Sequence, residues 1–565
     1  MSEQTISKQI DGKKLKRPRA VTKGRQVAPS ALAEVQALLG DEPRRKDLLI
    51  EHLHKIQDAY HHISAAHIVA LAREMKLSKA EVYEVATFYH HFDVIKEGDP
   101  PPPPLTVRVC DSVSCAMHNA EKLIAGLEKD LADEVRIQRV PCIGRCDVAP
   151  VAVVGMHPVE TATVDKVQQA VTDKAILPEP IAPVRLTAYL AQQGYQTYQA
   201  CLNGQHSVES VLQTMDDSGL RGLGGAGFPS GRKWRIVRDQ PEPKLMAVNI
   251  DEGEPGTFKD KYYLERDPHR FLEGMLIAAW VTGIDEIYIY LRDEYAAIRV
   301  MLAEELAALQ ANPPVENLPQ IVLRRGAGAY ICGEESAMIE SIEGKRGMPR
   351  LRPPFVAQVG LFGRPTLEHN MESLYWVRDI IEQGAKIMTD HGRHGRVGMR
   401  SFSVSGRVNK PGVYYAPAGI TIRELIDEYC DGMQAGHRFY GYFPGGASGG
   451  ILPASLGDIP LDFDTLQEYG CFIGSAAIMV FSDQDSAREL ALNAMKFFED
   501  ESCGQCTPCR VGTEKAVGLM SQQHWDQDLL AELSEVMVDA SICGLGQAAP
   551  NPIRCVMKYF PEELK

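Results

Sequence analysis

The sequence predicts an α/β chain of several domains with a cysteine-rich segment at each end. Three observations lead there. The chain has 565 residues, and at roughly 100–200 residues per domain that is about three to five folding units. From about 205 to 395, helical patterns alternate with short apolar runs such as LMAVNI, EIYIYL and QIVLRR, the mark of an α/β layer. Eight of the thirteen cysteines fall into two spaced groups on either side of that region.

The formal net charge of −15 argues against general binding of nucleic acid or anionic membrane, which needs a basic footprint. No run approaches the roughly 18 apolar residues of a membrane span. The start, MSEQTISKQIDGKKLKRPRAVTKGRQ, has no apolar stretch after its charges and so does not read as a secretory signal. Residues 1–29 are expected to be a basic arm, either disordered or laid over an acidic partner subunit. An odd number of cysteines without a signal peptide points to ligation in a reducing cytoplasm rather than to disulfides.

Each element follows in chain order. LLIEHLHKIQDAY, AAHIVALAREM and LSKAEVYEVATFYHHF, the last capped by Ser78, predict a helix bundle over 30–98. Asp99 and the five prolines after it form a stiff linker. LTVRVC, AEKLIAGL, VRIQRVPC and VAVVG predict a strand–helix–strand–strand domain of thioredoxin size over 105–175. A connector is expected at 176–203 and the α/β domain at 204–395. SFSVSGRVNKPGVYYAPAGITIRELIDEY reads as a hairpin followed by a helix, a β-grasp-like insert within 400–480. The chain returns to helices over 486–565.

Chemistry is concentrated in four motifs. Cys110-x4-Cys115 and Cys142-x3-Cys146 can bring four thiolates together from loops, which suits a [2Fe–2S] cluster; zinc, usually held by x2 pairs, and unligated thiols are the alternatives. Cys503-x2-Cys506-x2-Cys509, with Cys543 as the fourth ligand, presents three sulfurs from one tight turn to a [4Fe–4S] cube, a zinc knuckle being the alternative. Gly222-Leu-Gly224-Gly225-Ala-Gly227-Phe228 is formally G-x-G-x-x-G. A helical segment precedes it where the usual dinucleotide fingerprint has a strand, so a structural turn competes with a phosphate loop served by Arg232 and Lys233. AVNIDEGEPGTFKD gathers Asn249, Asp251, Glu252 and Glu254 behind a strand. Such a cluster suits hydroxyl and ring N–H donors, or else is a solvated acidic turn. GAGAYICGEES adds a second glycine-acidic loop. His52, His54, His61, His62, His90 and His91 sit on helical patterns and read as solvated or packing groups. Cys201, Cys332, Cys430, Cys471 and Cys555 read as isolated buried thiols.

With these motifs in place the chain resembles known flavoproteins along nearly all its length. From about residue 30 to 175 it looks like the 24-kDa-type thioredoxin-like ferredoxin subunit of respiratory complex I, and from about 204 to 560 like the 51-kDa-type flavoprotein subunit. The same fusion occurs in NAD-reducing hydrogenases and in soluble NAD-dependent formate dehydrogenases. GLGGAGF, where complex I and hydrogenase relatives usually have arginine in place of Leu223, together with ESCGQCTPCR and SICGLGQAA, favours the formate dehydrogenase β subunits of methylotrophic bacteria.

The resemblance implies a Rossmann-like FMN and NAD domain, an SLBB-like β-grasp insert and a helical [4Fe–4S] domain. FMN would rest on Gly222, Gly224 and Gly225, with Lys233, Asn249, Asp251, Tyr330, Gly333, Glu334 and Asn370 around it, and Glu252 would be a further cofactor-binding residue. The family commonly has paired asparagines where this chain has His369-Asn370. NAD(H) would stack near Phe228 and Phe355, with Glu254 and Glu335 at its riboses. Cys110, Cys115, Cys142 and Cys146 match the [2Fe–2S] ligands, and Cys503, Cys506, Cys509 and Cys543 the [4Fe–4S] ligands. Electrons would come from a separate α subunit carrying a molybdenum or tungsten pterin and further clusters. FMN would pass hydride to NAD+, reversibly, with no side chain acting as acid or base.

Overall fold

Helix starts follow local capping chemistry. Ser78 accepts from the Glu81 N–H while the Glu81 carboxylate accepts from the Ser78 N–H, a capping box that opens the helix Lys79–Ala86. Ser64 opens Ala65–Met75 in a similar way, and with Pro29–Leu39 and Leu49–Tyr60 these helices form the N-terminal bundle. The computed structural model describes residues 24–131 and 135–565, so the expected basic arm lies outside the described residues up to position 23. Two short strands, β1 (Ile63–Ser64) and β2 (Val94–Ile95), pair in parallel beside the helices.

β3 (Thr106–Cys110), β4 (Arg136–Val140), β5 (Ala152–Val154) and β6 (His157–Val159) form a mixed sheet in the order β4-β3-β5-β6. The helices Ala120–Leu131 and Val164–Thr172 bury Leu123, Ile124, Leu127 and Val167 in the core of this thioredoxin-like unit.

β7 (Lys244–Ile250), β8 (Ile284–Leu291), β9 (Gln320–Arg325) and β10 (Thr366–Asn370) make an all-parallel sheet in the order β10-β7-β8-β9. All of β7 but Asn249 is buried, as expected of a strand covered on both faces. The expected connector differs. Leu186–Ala191 and Gln196–Leu202 are helices, and their Tyr189, Tyr195 and Tyr198 are buried in the core of this α/β unit. Buried Glu273 holds them there, accepting from the Tyr189 hydroxyl at 2.6 Å and from the N–H groups of Tyr195 and Tyr198 at 2.8 and 3.2 Å. Helices of 6 and 7 residues are too short to show a period.

β11 (Met399–Gly406), β12 (Gly412–Pro417), β13 (Phe439–Phe443), β14 (Leu452–Pro453) and β15 (Ala477–Ser482) form a sheet in the order β12-β11-β15-β13-β14. β11 and β12 are the anticipated hairpin, and Thr421 caps the helix Ile422–Glu428 that follows. The C-terminal segment is helical. One continuous apolar core runs from Leu53 and Tyr89 of the bundle through Ile331 to Phe402, Phe481 and Phe498. The bundle, the α/β unit and the C-terminal parts therefore pack as one body. No described helix is long and apolar enough to cross a membrane.

Candidate functional site

Strand order reverses at β7, from which β8 and β9 run one way and β10 the other. Open α/β sheets bind ligands outside the carboxyl ends of their strands at such a reversal. Asn249 and Asn370 lie there, paired at the ends of β7 and β10. The Asn249 Nδ2 donates to the Gly333 carbonyl at 2.9 Å, and Lys233 Nζ to the Glu368 carbonyl at 3.1 Å. One lysine, two strand ends and the glycine-acidic loop thus share a wall.

The glycine loop arrives between the helices Val208–Asp217 and Ser230–Arg238, so it is not a strand–turn–helix fingerprint. The Leu223 N–H donates to Ser373 Oγ at 2.8 Å and fixes the loop against β10 and its following helix. A Cβ on Gly224 would stand 3.0 Å from the Asn370 Cβ, and Gly225 has φ +129°. A side chain at Gly224 would crowd Asn370, and the backbone of Gly225 is one that only glycine adopts without strain.

Charge along the crevice is tuned by burial. Asp251 Oδ2 is sealed from solvent without a partner, and burial pushes this carboxyl well above its usual range. A sealed, unpaired carboxyl oxygen is costly until a polar ligand meets it, which fits a hydroxyl or ring N–H. Glu254 accepts from Ser448 N–H and Oγ–H at 2.8 and 2.9 Å and from the Tyr330 hydroxyl. Glu335 stands 2.9 Å from Arg352; burial, then Glu368, raises its pKa. Phe228 and Phe355 leave 38% and 53% of their surface open, and Arg232 stands 5.6 Å over the Phe228 ring.

Two of the expected residues face elsewhere. The Glu252 carboxylate accepts the N–H groups of Asp260 and Lys261 at 2.8 and 3.2 Å and the Tyr295 hydroxyl at 2.8 Å, so it anchors the acidic loop to the next helix. Glu334 caps the helix Glu335–Ile342 through the N–H groups of Ser336 and Ala337, each at 2.9 Å, and pairs with Arg352.

Cys503, Cys506, Cys509 and Cys543 line one pocket together with Ile331 and Leu545. Cys506 and Cys543 occupy the N-cap positions of Thr507–Met520 and Gly544–Ala548. Burial pushes Cys509 up to about 11 and Cys543 to about 12, so they are neutral thiols near pH 7 unless metal charge displaces the protons. In the N-terminal group, Cys142 Sγ is 3.3 Å from Cys146 Sγ, and Cys110 touches Cys115 and Cys142. Among the described residues neither group brings three sulfurs within 4.8 Å of one another. Each set gathers four thiols, the number an iron–sulfur cluster takes.

The comparisons with known proteins agree with this geometry. Residues 215–379 match the Nuo51 FMN-binding domain, 35–175 the thioredoxin-like [2Fe–2S] ferredoxin, and 489–565 the NADH-ubiquinone oxidoreductase-F iron–sulfur binding region. An NADH-quinone oxidoreductase F subunit of Rhizobium meliloti (strain 1021) is 37% identical over 67% of this chain and 93% of its own length. The chain belongs to the family of NADH-quinone oxidoreductase F subunits. The corresponding Aquifex aeolicus (strain VF5) protein is 40% identical over 66% of this chain and 89% of its own. A chain of an NAD+-reducing [NiFe]-hydrogenase in the H2-reduced state superposes with a TM-score of 0.80 at 31% identity, covering 92% of each chain.

As a member of this family, the protein is an oxidoreductase subunit that uses FMN, NAD(H), one [2Fe–2S] and one [4Fe–4S] cluster. Two of its features escaped the sequence reading. Cys471 and Cys555, read as isolated thiols, lie 3.5 Å apart in the core. Arg292 is buried and donates to the Cys142 carbonyl at 2.7 Å and to the Glu252 carbonyl, tying the N-terminal cysteine loop to the acidic loop. No spacing rule joins residues so far apart in the chain.

Proposed function

We propose that the chain is the diaphorase subunit of a cytoplasmic NAD-dependent formate dehydrogenase, exchanging electrons with a formate-oxidising α subunit that carries a molybdenum or tungsten pterin and further clusters. The observation that carries the diaphorase part is the turn Tyr330–Gly333. Its Ile331 lines the four-cysteine pocket, its Gly333 carbonyl holds Asn249, and its Tyr330 hydroxyl holds Glu254. One short turn is therefore the shared wall of the cluster pocket and the crevice.

When bound, FMN supplies the exchange between two-electron hydride transfer and one-electron transfer. The protein binds and orients. Gly222, Gly224 and Gly225 let the backbone approach the flavin, and Lys233 offsets its phosphate charge. Asn249, Asp251, Gly333 and Asn370 meet its polar edges, while Glu252 and Glu334 hold the two acidic loops in place. Phe228 and Phe355 stack the adenine of NAD(H), with Glu254 and Glu335 at the riboses. The five-stranded sheet and its helix support a β-grasp reading of 400–480.

For formate, the supporting residue is Leu223, buried in the α/β core where complex I and hydrogenase relatives usually have arginine. The hydrogenase diaphorase is the second reading, favoured by the superposition over 92% of both chains. The deciding experiment isolates the chain with its large subunit from the native source and assays NAD+ reduction with formate and with hydrogen. Formate-driven turnover, and a chain that alone oxidises NADH with ferricyanide but ignores formate, are expected. Hydrogen-driven turnover would replace the first reading with the second. Bound FMN without any NADH oxidation would refute both.

A further inference from the structure

Two histidines read from the sequence as packing or solvated groups come together far from the cysteines. His54 and Asp58 lie one turn apart on the helix Leu49–Tyr60, on one face of it. His91 follows the helix Lys79–Ala86. Its backbone N–H donates to the Ala327 carbonyl at 3.1 Å, and its ring centroid lies 4.9 Å from that of His54. Each of the three residues offers one ligand atom, and those atoms lie within 4.8 Å of one another. No other group of three histidine, cysteine or acidic residues does so among the described residues.

The hydrogen bonds decide which nitrogens are free. His54 is 3% exposed. Its Nε2 faces the Gly326 carbonyl at 2.9 Å and so carries the proton, leaving Nδ1 a lone pair with no partner. His91 Nδ1 is held by the Asp293 carboxylate, and its Nε2 is sealed from solvent without a partner. In each ring one nitrogen is fixed by a carbonyl or a carboxylate while the other has no partner, the pattern by which metal-ligating histidines are oriented. Arg325 binds Asp58 from one side, at 2.6 and 3.3 Å, and carboxylate oxygens have lone pairs left for another partner. Asp58 is exposed, which gives water access. Two imidazoles and one carboxylate suit zinc and the late divalent metals, not magnesium or calcium.

We propose that His54, Asp58 and His91 form a site for one divalent transition-metal ion of the zinc class, with water as fourth ligand, separate from both iron–sulfur sites. All three ligands precede the proline run, whereas the groups that orient the histidines, Gly326 and Asp293, follow β9 and β8. The site is complete only when the helix bundle is docked on the α/β unit, and an ion bound there strengthens that docking.

The test uses the full chain loaded with both clusters and FMN, incubated with zinc chloride and passed through a desalting column before metal analysis. The expected result is about one zinc per chain, with an anomalous-scattering peak at the zinc edge between the three side chains. Asp58→Asn, at the surface and so least able to disturb folding, and His91→Gln should each weaken zinc binding at least tenfold, with iron and FMN content unchanged. A wild-type chain that retains no zinc, variants that bind it as well as wild type, or a zinc peak only at the cysteines would each overturn the proposal.

Discussion

Glu335 and His369 show how single side chains carry electrostatic work in the crevice. In the proposed site Glu335 accepts from a ribose hydroxyl, and a carboxylate there repels the additional phosphate of NADPH. Glu335→Gln should lower the NADH-over-NADPH ratio of kcat/KM about tenfold while FMN content stays normal; an unchanged ratio would remove Glu335 from the ribose. His369 is buried, and burial with Lys233 nearby lowers its pKa to about 3. The unfolded chain takes up a proton near pH 6.5 that the folded chain refuses until about pH 3. The penalty is absent above pH 6.5 and grows as pH falls, reaching about 2 kcal/mol by pH 5. His369→Asn removes it. Its thermal midpoint should therefore fall less than the parent's between pH 7.5 and 5, and equal falls would contradict the assignment.

At the scale of elements, loops fix the ligands and strands fix the loops. The glycine loop packs close to Asn370, where a Cβ on Gly224 would stand 3.0 Å from the Asn370 Cβ. Gly224→Ala should reduce bound FMN more than tenfold and leave iron content intact, read by flavin fluorescence and metal analysis on the same sample. The cysteine triple works differently, since one turn and one helix start seat three sulfurs without help from distant chain. Cys506→Ser should reduce iron from about six to about two per chain and erase the four-iron electron paramagnetic resonance signal, sparing the two-iron signal. Loss of both signals in a folded sample would mean that the two sites are not independent. The bundle, β3 to β5, the β11–β12 hairpin and the C-terminal helices are legible from period and capping, whereas β6 and β13 to β15 are not. The helices Leu186–Ala191 and Gln196–Leu202 are not either, because their tyrosines are held by Glu273 rather than by any pattern of their own.

Across the whole molecule the two cysteine sites meet the crevice at the β7–β10 reversal through different contacts. The four-cysteine pocket touches it through Ile331. The Cys142–Cys146 loop packs on Phe258, behind the acidic loop, and is tied down by Arg292. This arrangement suits an entry cluster at the pocket and a two-iron centre off the main path. On the proposed formate reading, Cys543→Ser in the complex with the formate-oxidising subunit should abolish formate-driven NAD+ reduction while NADH oxidation by ferricyanide persists. Cys142→Ser should retain substantial formate-driven turnover. Steady-state rates on samples matched for folding and FMN decide it, and equal loss in both variants would put the two-iron centre on the required path.

The sequence by itself determined the two cysteine sets, the two glycine-acidic loops and the α/β class, because each is a local matter. Short spacings put sulfurs within reach of one cluster, and periodic apolar residues choose helix or strand within a dozen positions. Tertiary structure decided which of these meet. Parallel pairing of β10 with β7 set Asn370 beside Asn249, folding turned Glu252 back onto the helix Lys259–Leu264, packing within the bundle brought His54 to His91, and docking of the bundle brought them to Gly326 and Asp293. Burial of apolar surface drives those approaches, and it is non-directional. The polar groups carried along reveal their partners only once the packing is complete.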